Sequence, residues 1–466
     1  MLEEEAGSYR DKLATVNEKG RRIWIYPKKP KGIFYNKRKI VSYILLFFLF
    51  ATPHIKYNGL PLLMFNIIER KFIIFGKIFW PQDFFIFAVA MITGVIFITL
   101  FTIIYGRLFC GWVCPQTIFM EMVFRRIEYF IEGDYKQQQK LNRDSWSASK
   151  LFKKSLKHMI FFGISFLIAN TFLAYIIGAN ELWKIQIDDP LNHIHGLIAI
   201  TIFTFVFYGV FAFMREQICT TICPYGRLQG VLLDSKSIIV AYDYVRGEKR
   251  AKIHGHEDRK AEGKGDCIDC HQCVDVCPTG IDIRNGTQLE CVNCTACIDA
   301  CNFMMEKTGL PKGLIRLDSE DGIKNGEKFT WNKRKIFYSS VLVILIGFLS
   351  YIVASRNDFE TTITRAKGVV QKSIDKNHMS NIYDITLVNK TTDDFVIRLE
   401  LKGNTGKIDL VKDHLLLKEQ SEIKGKFVVT LEKKNIKHGK NKITIQVYGN
   451  GKLIEEKNTI FMGPLL

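Results

Sequence analysis

Long apolar runs alternate with basic, polar stretches along this 466-residue chain. A bilayer needs about 20 consecutive apolar residues per helix. Five runs meet or approach that length, near Ile40–Ile55, Phe84–Tyr105, Met159–Gly178, Leu197–Phe213 and Ile336–Val353. The first is short, and Pro53 and His54 interrupt its end, so it reads as a short span or as a longer, kinked one reaching Phe65. Pro61–Trp80 (PLLMFNIIERKFIIFGKIFW) is apolar but carries Glu69, Arg70 and Lys71 at its centre. It reads as interfacial or re-entrant. After Ser355 the period changes. Runs such as FVIRLELKG (Phe395–Gly403) and KFVVTLEKK (Lys426–Lys434) alternate, and TIQVYGNGKLIEE places Asn450-Gly451 at a hairpin turn. Residues 356–466 therefore predict a small β-sandwich of immunoglobulin-like size. It shows no catalytic constellation and reads as a contact or shielding domain.

Charge orients the spans. Lys plus Arg number 65 against 47 Asp plus Glu, a formal +18. No nucleic-acid-binding motif accompanies the excess, which instead flanks apolar runs. The segment up to Lys39 carries eleven Lys/Arg, residues 107–157 carry ten, and residues 179–195 carry only Lys184. The positive-inside rule places the N-terminus in the cytoplasm. MLEEEAGSYRDKL shows no signal-peptide core. Five crossings then put the C-terminal domain outside. The expected layout is a basic cytoplasmic tail (1–39), a membrane domain with four spans (40–235), a cytoplasmic cluster domain (236–334), a fifth span (335–355) and an outer β-sandwich (356–466).

The twelve cysteines fall in four groups. Cys267, Cys270, Cys273 and Cys277 have the spacing C-x2-C-x2-C-x3-C followed by Pro278, and Cys291, Cys294, Cys297 and Cys301 repeat it without the proline. Such doubled runs hold two [4Fe–4S] cubes, the fourth cysteine of each run reaching the other cluster. That expectation assigns Cys267, Cys270, Cys273 and Cys301 to one cluster, and Cys291, Cys294, Cys297 and Cys277 to the second. Paired C-x2-C motifs also bind zinc, but the doubled eight-cysteine pattern favours iron–sulfur in an α+β ferredoxin-like domain. A reducing compartment argues against disulfides.

The other pairs are FCGWVCP (Phe109–Pro115) and ICTTICP (Ile218–Pro224), both C-x3-C-P at the inner end of a span. Arg107 precedes the first and Arg215 the second, as in a duplicated two-span unit. On a helix this spacing sets both sulfurs on one face, about one turn apart. Free cysteines are often simply buried small residues. Two such motifs at one depth point instead to chemistry. Soft thiolates select Cu(I), zinc or iron–sulfur, and dithiols also cycle as disulfides. Cys110, Cys114, Cys219 and Cys223 are therefore candidates to converge on one metal beneath the cluster domain.

Other candidates are weaker. Asp188, Asp189, His193 and His195 (DDPLNHIHG) would suit a metal or a quinone headgroup, although a solvated loop explains them as well. His54 and His158 lie at span edges, and no span offers a clear pair of haem ligands. Met304-Met305 reads as core. Gly255–Lys264 reads as an exposed linker without a phosphate-loop pattern.

The basic N-terminus, CGWVCP and CTTICPYGR at span ends, the doubled ferredoxin run and the β-rich tail together resemble the CcoG/FixG/RdxA family of cbb3-type cytochrome oxidase accessory proteins. The resemblance covers essentially the whole chain. The C-x3-C-P motifs are also similar to NapH/NosR-type membrane ferredoxins. The family resemblance implies a multi-pass protein of the bacterial inner membrane that reduces Cu(II) to Cu(I) during oxidase assembly. It implies copper at Cys110, Cys114, Cys219 and Cys223. Oxidase subunits, copper chaperones or transporters would be partners, along with an electron donor that no nicotinamide or flavin fingerprint supplies. The NapH side implies a quinol dehydrogenase instead, and a non-catalytic assembly scaffold is the third reading.

Overall fold

The computed structural model describes residues 15–464 except 18, 20, 58, 69–70, 81–82, 254–257, 260, 327–332, 356–357, 367–371, 374–376, 392, 404–405 and 411–414. The acidic N-terminal stretch, Glu69, Arg70 and part of the Gly255–Lys264 linker lie outside the described residues. Two compact units emerge, Met1–Pro53 with Phe87–Leu349, and His54–Ile86 with Ser350–Leu466.

Among the described residues, four helices are long and apolar enough to span a membrane: Phe84–Tyr105, Ala148–Ile177, Ile194–Met214 and Lys335–Ala354. The expected first span is a helix, Ile33–Ala51, but Lys37, Arg38 and Lys39 in its first half deny it a full apolar window. Helix Ala148–Ile177 begins where the Ser147 side chain accepts from the Lys150 amide, and it stops on Gly178 at φ 87°. Its 30 residues extend about 45 Å, more than the roughly 30 Å hydrocarbon core. The basic start of this helix therefore stands outside lipid, where Lys154 and Lys157 reach Glu132 at 2.8 and 3.0 Å. Phe119, Phe124, Phe161 and Phe211 pack the centre, with Phe124 stacked on Phe211 at 4.5 Å and edge-on to Phe161 at 4.8 Å.

The cysteine-rich domain is small and α+β. Strand Ile239–Tyr242 pairs antiparallel with Ile315–Asp318, and helices Gln272–Asp275 and Ala296–Lys307 begin within the two cysteine runs. Each run bends at two left-handed residues, Asp269 and His271 in the first, Asn293 and Thr295 in the second. The matching positions show a repeat of the loop in its backbone as well as its cysteines.

The basic N-terminal segment, expected as a tail, is a strap on this domain. The Lys28 amide donates to the Asp275 carbonyl at 2.7 Å. Helix Ile33–Ala51 has no cap of its own, since Gly32 precedes it. The Asp299 carboxylate accepts from the Phe34 and Tyr35 amides at 3.2 and 2.8 Å. A Cβ at Gly32 would meet Asp299 Cγ at 2.3 Å, which explains the glycine.

The second unit holds the expected sandwich. One sheet orders Gly406–Leu410, Glu422–Glu432, His378–Asn389 and Phe359–Arg365; the other orders Leu415–Leu417, Phe395–Leu401, Lys440–Gly449 and Lys452–Met462. Tyr383, Phe427, Val429, Ile445 and Phe461 fill the space between them. Asn450 and Gly451 both have positive φ, as the two-residue hairpin turn requires. Residues 61–80 correct the re-entrant expectation. They form a three-stranded antiparallel sheet, Leu63–Asn66, Lys71–Ile74 and Lys77–Phe79. The apolar run has a period of two, with Ile73 and Ile78 buried, and it turns at Phe75-Gly76 with both φ positive. This sheet belongs with the sandwich and not with the membrane helices. Lys390 joins the two, reaching Asp83 at 2.6 Å and Glu360 at 2.9 Å.

Candidate metal and electron-transfer site

The eight cysteines of the doubled run face two separate cavities. Cys267, Cys270, Cys273 and Cys301 line one, beside Tyr242, Met305 and Leu314. Cys277, Cys291, Cys294 and Cys297 line the other, together with Cys273. The last cysteine of each run thus lines the cavity of the other run, and Cys273 lines both. The remaining walls are mostly apolar, which keeps water from sulfur and lowers the local dielectric. All twelve cysteines are free thiols.

The two C-x3-C-P motifs share one backbone. A residue with φ near 55° stands four positions before the first cysteine of each, Gly106 at 56° and Arg215 at 54°. Neither motif is one continuous helix, which corrects the expected spacing of sulfurs along a single face. Helix Leu108–Trp112 ends before Cys114, and the turn Ile218–Ile222 ends before Cys223. Cys114 and Cys223 are extended, at ψ 123° and 113°, and each caps a new helix that starts at Pro115 or Pro224. The proline is the cause. It bars the preceding residue from helical angles and suits the first helical position.

Cys110 and Cys219 pack against the small cluster of Val276, Val292, Cys294 and Ala296 in the dicluster domain. Gly111 makes that approach possible, because a Cβ there would lie 2.5 Å from the Val292 carbonyl oxygen and 2.8 Å from that of Asn293. Gly111→Ala is expected to cost about 1–3 kcal/mol in packing and to slow electron transfer between the cluster loop and the thiols. Stopped-flow reoxidation would read this, and an unchanged rate would take the contact off the route.

Buried polar groups surround the thiols. Cys110 Sγ lies 3.3 Å from Gln229 Oε1, and Arg38, 2% exposed, donates from Nε to the Gly111 carbonyl at 2.7 Å. Arg107 donates to the carbonyls of Leu289 and Gly226, so it bridges the cluster domain and the second motif. Arg215 instead grips Glu128 through both nitrogens at 3.0 and 2.8 Å. Burial alone would raise the Glu128 pKa, but Arg215, Lys157 and Arg125 more than offset this and hold its carboxyl below the usual range. Five buried donors near the motifs have no partner among the described residues: Arg38 Nη2, Arg107 Nε, Trp112 Nε1, Gln116 Nε2 and Gln229 Nε2. Such donors suit an anionic thiolate-bound metal better than four neutral thiols. Burial and the neighbouring Cys114 push Cys110 up to about 11 and Cys219 up to about 12. A metal must therefore displace protons to bind. Among the described residues no three His, Cys, Asp or Glu side chains already close on a single ion, so binding one would draw the thiols together.

Sequence reasoning missed Gly111, Gln229 and Arg38. Arg38 was hidden by its setting, since a basic cluster before a span reads as topology alone. The second histidine group stays apart. His193 Nε2 lies 3.4 Å from Asp188 Oδ2 on an open loop, and the Asp189 carboxylate caps the Leu191 amide.

Residues 214–320 match a 4Fe-4S dicluster domain, residues 87–133 a 4Fe-4S binding domain, and residues 349–464 the IG-like fold at the C-terminus of FixG. The chain is 34% identical to protein RdxA of Cereibacter sphaeroides, over 82% of this chain and 83% of that protein. It belongs to the FixG/RdxA family. RdxB of the same organism is 32% identical over 78% of this chain and 79% of its own. Nitrogen fixation protein FixG of Rhizobium meliloti is 36% identical over 64% of this chain and 57% of its own. As a FixG/RdxA-family protein with four apolar spans and a dicluster domain, this chain is a membrane iron–sulfur electron-transfer protein of oxidoreductase type, with two [4Fe–4S] clusters.

Proposed function

We propose that the protein reduces Cu(II) to Cu(I) at Cys110, Cys114, Cys219 and Cys223, and so supports copper delivery to a cbb3-type cytochrome oxidase. The carrying observation is the packing of Cys110 and Cys219 directly on the loop that holds Cys294. The two cysteine-lined cavities are the cluster sites of this reading, with the ligand sets Cys267, Cys270, Cys273, Cys301 and Cys277, Cys291, Cys294, Cys297. The clusters supply electrons one at a time, and cupric ion needs one. Thiolates then favour the soft Cu(I) product over Cu(II). Arg107, between Leu289 and Gly226, holds the cluster domain to the second motif. The unpaired donors beside the thiols offset the negative charge of a thiolate–copper site.

In this reading the protein lies in the bacterial inner membrane with the strap and dicluster domain in the cytoplasm and the sandwich in the periplasm. Basic residues concentrate on the dicluster side. Chain order supports five crossings. Helix Ile33–Ala51 starts at the strap and leads into residues 54–86, which build one unit with the C-terminal domain. That domain is itself reached from the cluster domain through the span Lys335–Ala354. In this reading the short first helix crosses as well.

The test is anaerobic. The protein is reduced with dithionite, freed of excess reductant, and mixed with Cu(II). Loss of the reduced iron–sulfur EPR signal together with a chelatable Cu(I) is expected. Clusters that stay reduced in Cu(II) but reoxidise with a quinone would support the quinol reading. One observation favours that second reading: His158 Nδ1 lies 2.9 Å from the Tyr208 hydroxyl, among Phe162 and Phe213.

A further inference from the structure

A cavity of about 860 Å³ lies between the N-terminal strap and the dicluster domain. Small-molecule sites range over roughly 300–1,000 Å³. The strap forms one wall from Lys28 to Phe34, and helix Ala296–Lys307 forms the other. Val276, Ala296 and Ala300 line it, and each immediately precedes a cysteine of the doubled run, Cys277, Cys297 or Cys301. Those cysteines face the two cluster cavities. The wall of this cavity and the linings of both cluster cavities are thus built on adjacent residues.

The side chains lining this cavity carry a small positive excess, Lys28, Lys29, Lys31 and Lys312 against Asp134, Asp299 and Glu306, and the acids are already engaged. The carboxylate of Asp134 is taken by the Lys29 and Tyr135 amides, and that of Asp299 by the Phe34 and Tyr35 amides. Glu306 pairs with Lys312 at 3.0 Å. Lys29 and Lys31 are exposed at the cavity and make no ion pair among the described residues. Phe34, Tyr129 and Phe303 add aromatic faces, and Phe303 is 65% exposed. Unpaired lysines beside aromatic rings suit a planar aromatic carrier with a phosphate tail.

We propose that this cavity is where electrons come in, and that it takes a phosphate-bearing flavin of the flavin mononucleotide class. The inference rests on the two-cluster reading and is independent of copper. A reduced flavin loses two electrons and two protons in successive one-electron steps. Each electron lowers one cluster by one unit of charge, and the protons pass to solvent. A nicotinamide gives its electrons as a hydride pair, which single-electron clusters do not accept directly. The isoprenoid tail of a quinol finds no place among lysines.

The test uses the full-length, cluster-loaded protein in detergent, without oxygen or copper. Photoreduced flavin mononucleotide is mixed with the oxidised protein, and cluster bleaching is followed in the visible. The rate should saturate with flavin mononucleotide and not with riboflavin, which lacks the phosphate. The double variant Lys29→Glu/Lys31→Glu should lower the apparent second-order rate constant about tenfold. Dithionite, which needs no site, reports cluster content in the same samples. Rates that rise linearly with both flavins and ignore the charge reversal would overturn the proposal. So would saturation seen only with a reduced acidic redox protein. The riboflavin comparison stands even if the variant folds poorly. Because no copper is present, failure here leaves the cupric reading intact, and failure of that reading leaves this one.

Discussion

Cys110→Ala and Cys219→Ala should each slow cupric reduction by the pre-reduced protein about 100-fold or more, a loss of about 2.7 kcal/mol in transition-state stabilisation. These two sulfurs pack on the cluster loop, whereas Cys114 and Cys223 stand one helix break further on. Removing either inner thiol takes away the ligand nearest the electron source. Iron content and the reduced EPR spectrum should stay as in the parent protein, because neither residue lines a cluster cavity. Copper is measured as the chelated Cu(I) product under a single turnover. Full activity in both variants would remove the thiols from the reaction. A fall in bound iron would mean that the motifs hold iron themselves, a chemistry that the 4Fe-4S match over residues 87–133 brings to the first of them.

The second large effect separates the two cluster sites. Cys301→Ala should abolish the same EPR component as Cys267→Ala, and Cys277→Ala the same as Cys291→Ala. Each single variant should lose about half the iron, since a [4Fe–4S] cube normally needs four thiolates. The reason lies in the lining of the cavities, where Cys301 stands with Cys267, Cys270 and Cys273, and Cys277 stands with the second run. If Cys301→Ala instead copied Cys291→Ala, each run would serve its own cluster, and the crossed assignment would fall.

Much of this was legible in the residues. The four longest apolar runs are helices, because their windows are strongly apolar and almost free of charge. Asn450-Gly451 announced its hairpin, because few residues besides glycine and asparagine accept a left-handed angle cheaply. The cysteine spacing anticipated which thiols share a cavity. The run Pro61–Trp80 misled because its overall hydrophobicity outweighed its period of two, although its partner strands lie within the run itself. The helix breaks at Cys114 and Cys223 were signalled by the following prolines, but the C-x3-C spacing was read without them. The strap was beyond sequence reasoning. Its docking depends on a carboxylate 265 positions away, and no local pattern marks a helix whose cap is supplied by another domain.

That borrowed cap has a bearing on biosynthesis. The first helix leaves the ribosome early, with Gly32 at its start and its leading amides unpaired. The carboxylate that completes it, Asp299, sits between Cys297 and Cys301 and is translated only after the apolar helices Phe84–Tyr105, Ala148–Ile177 and Ile194–Met214. Asp299 takes its position on a helix whose neighbouring cysteines face both cluster cavities. Docking of the amino-terminal end thus waits until the second cysteine run has been made, so the strap closes late in the folding of the chain.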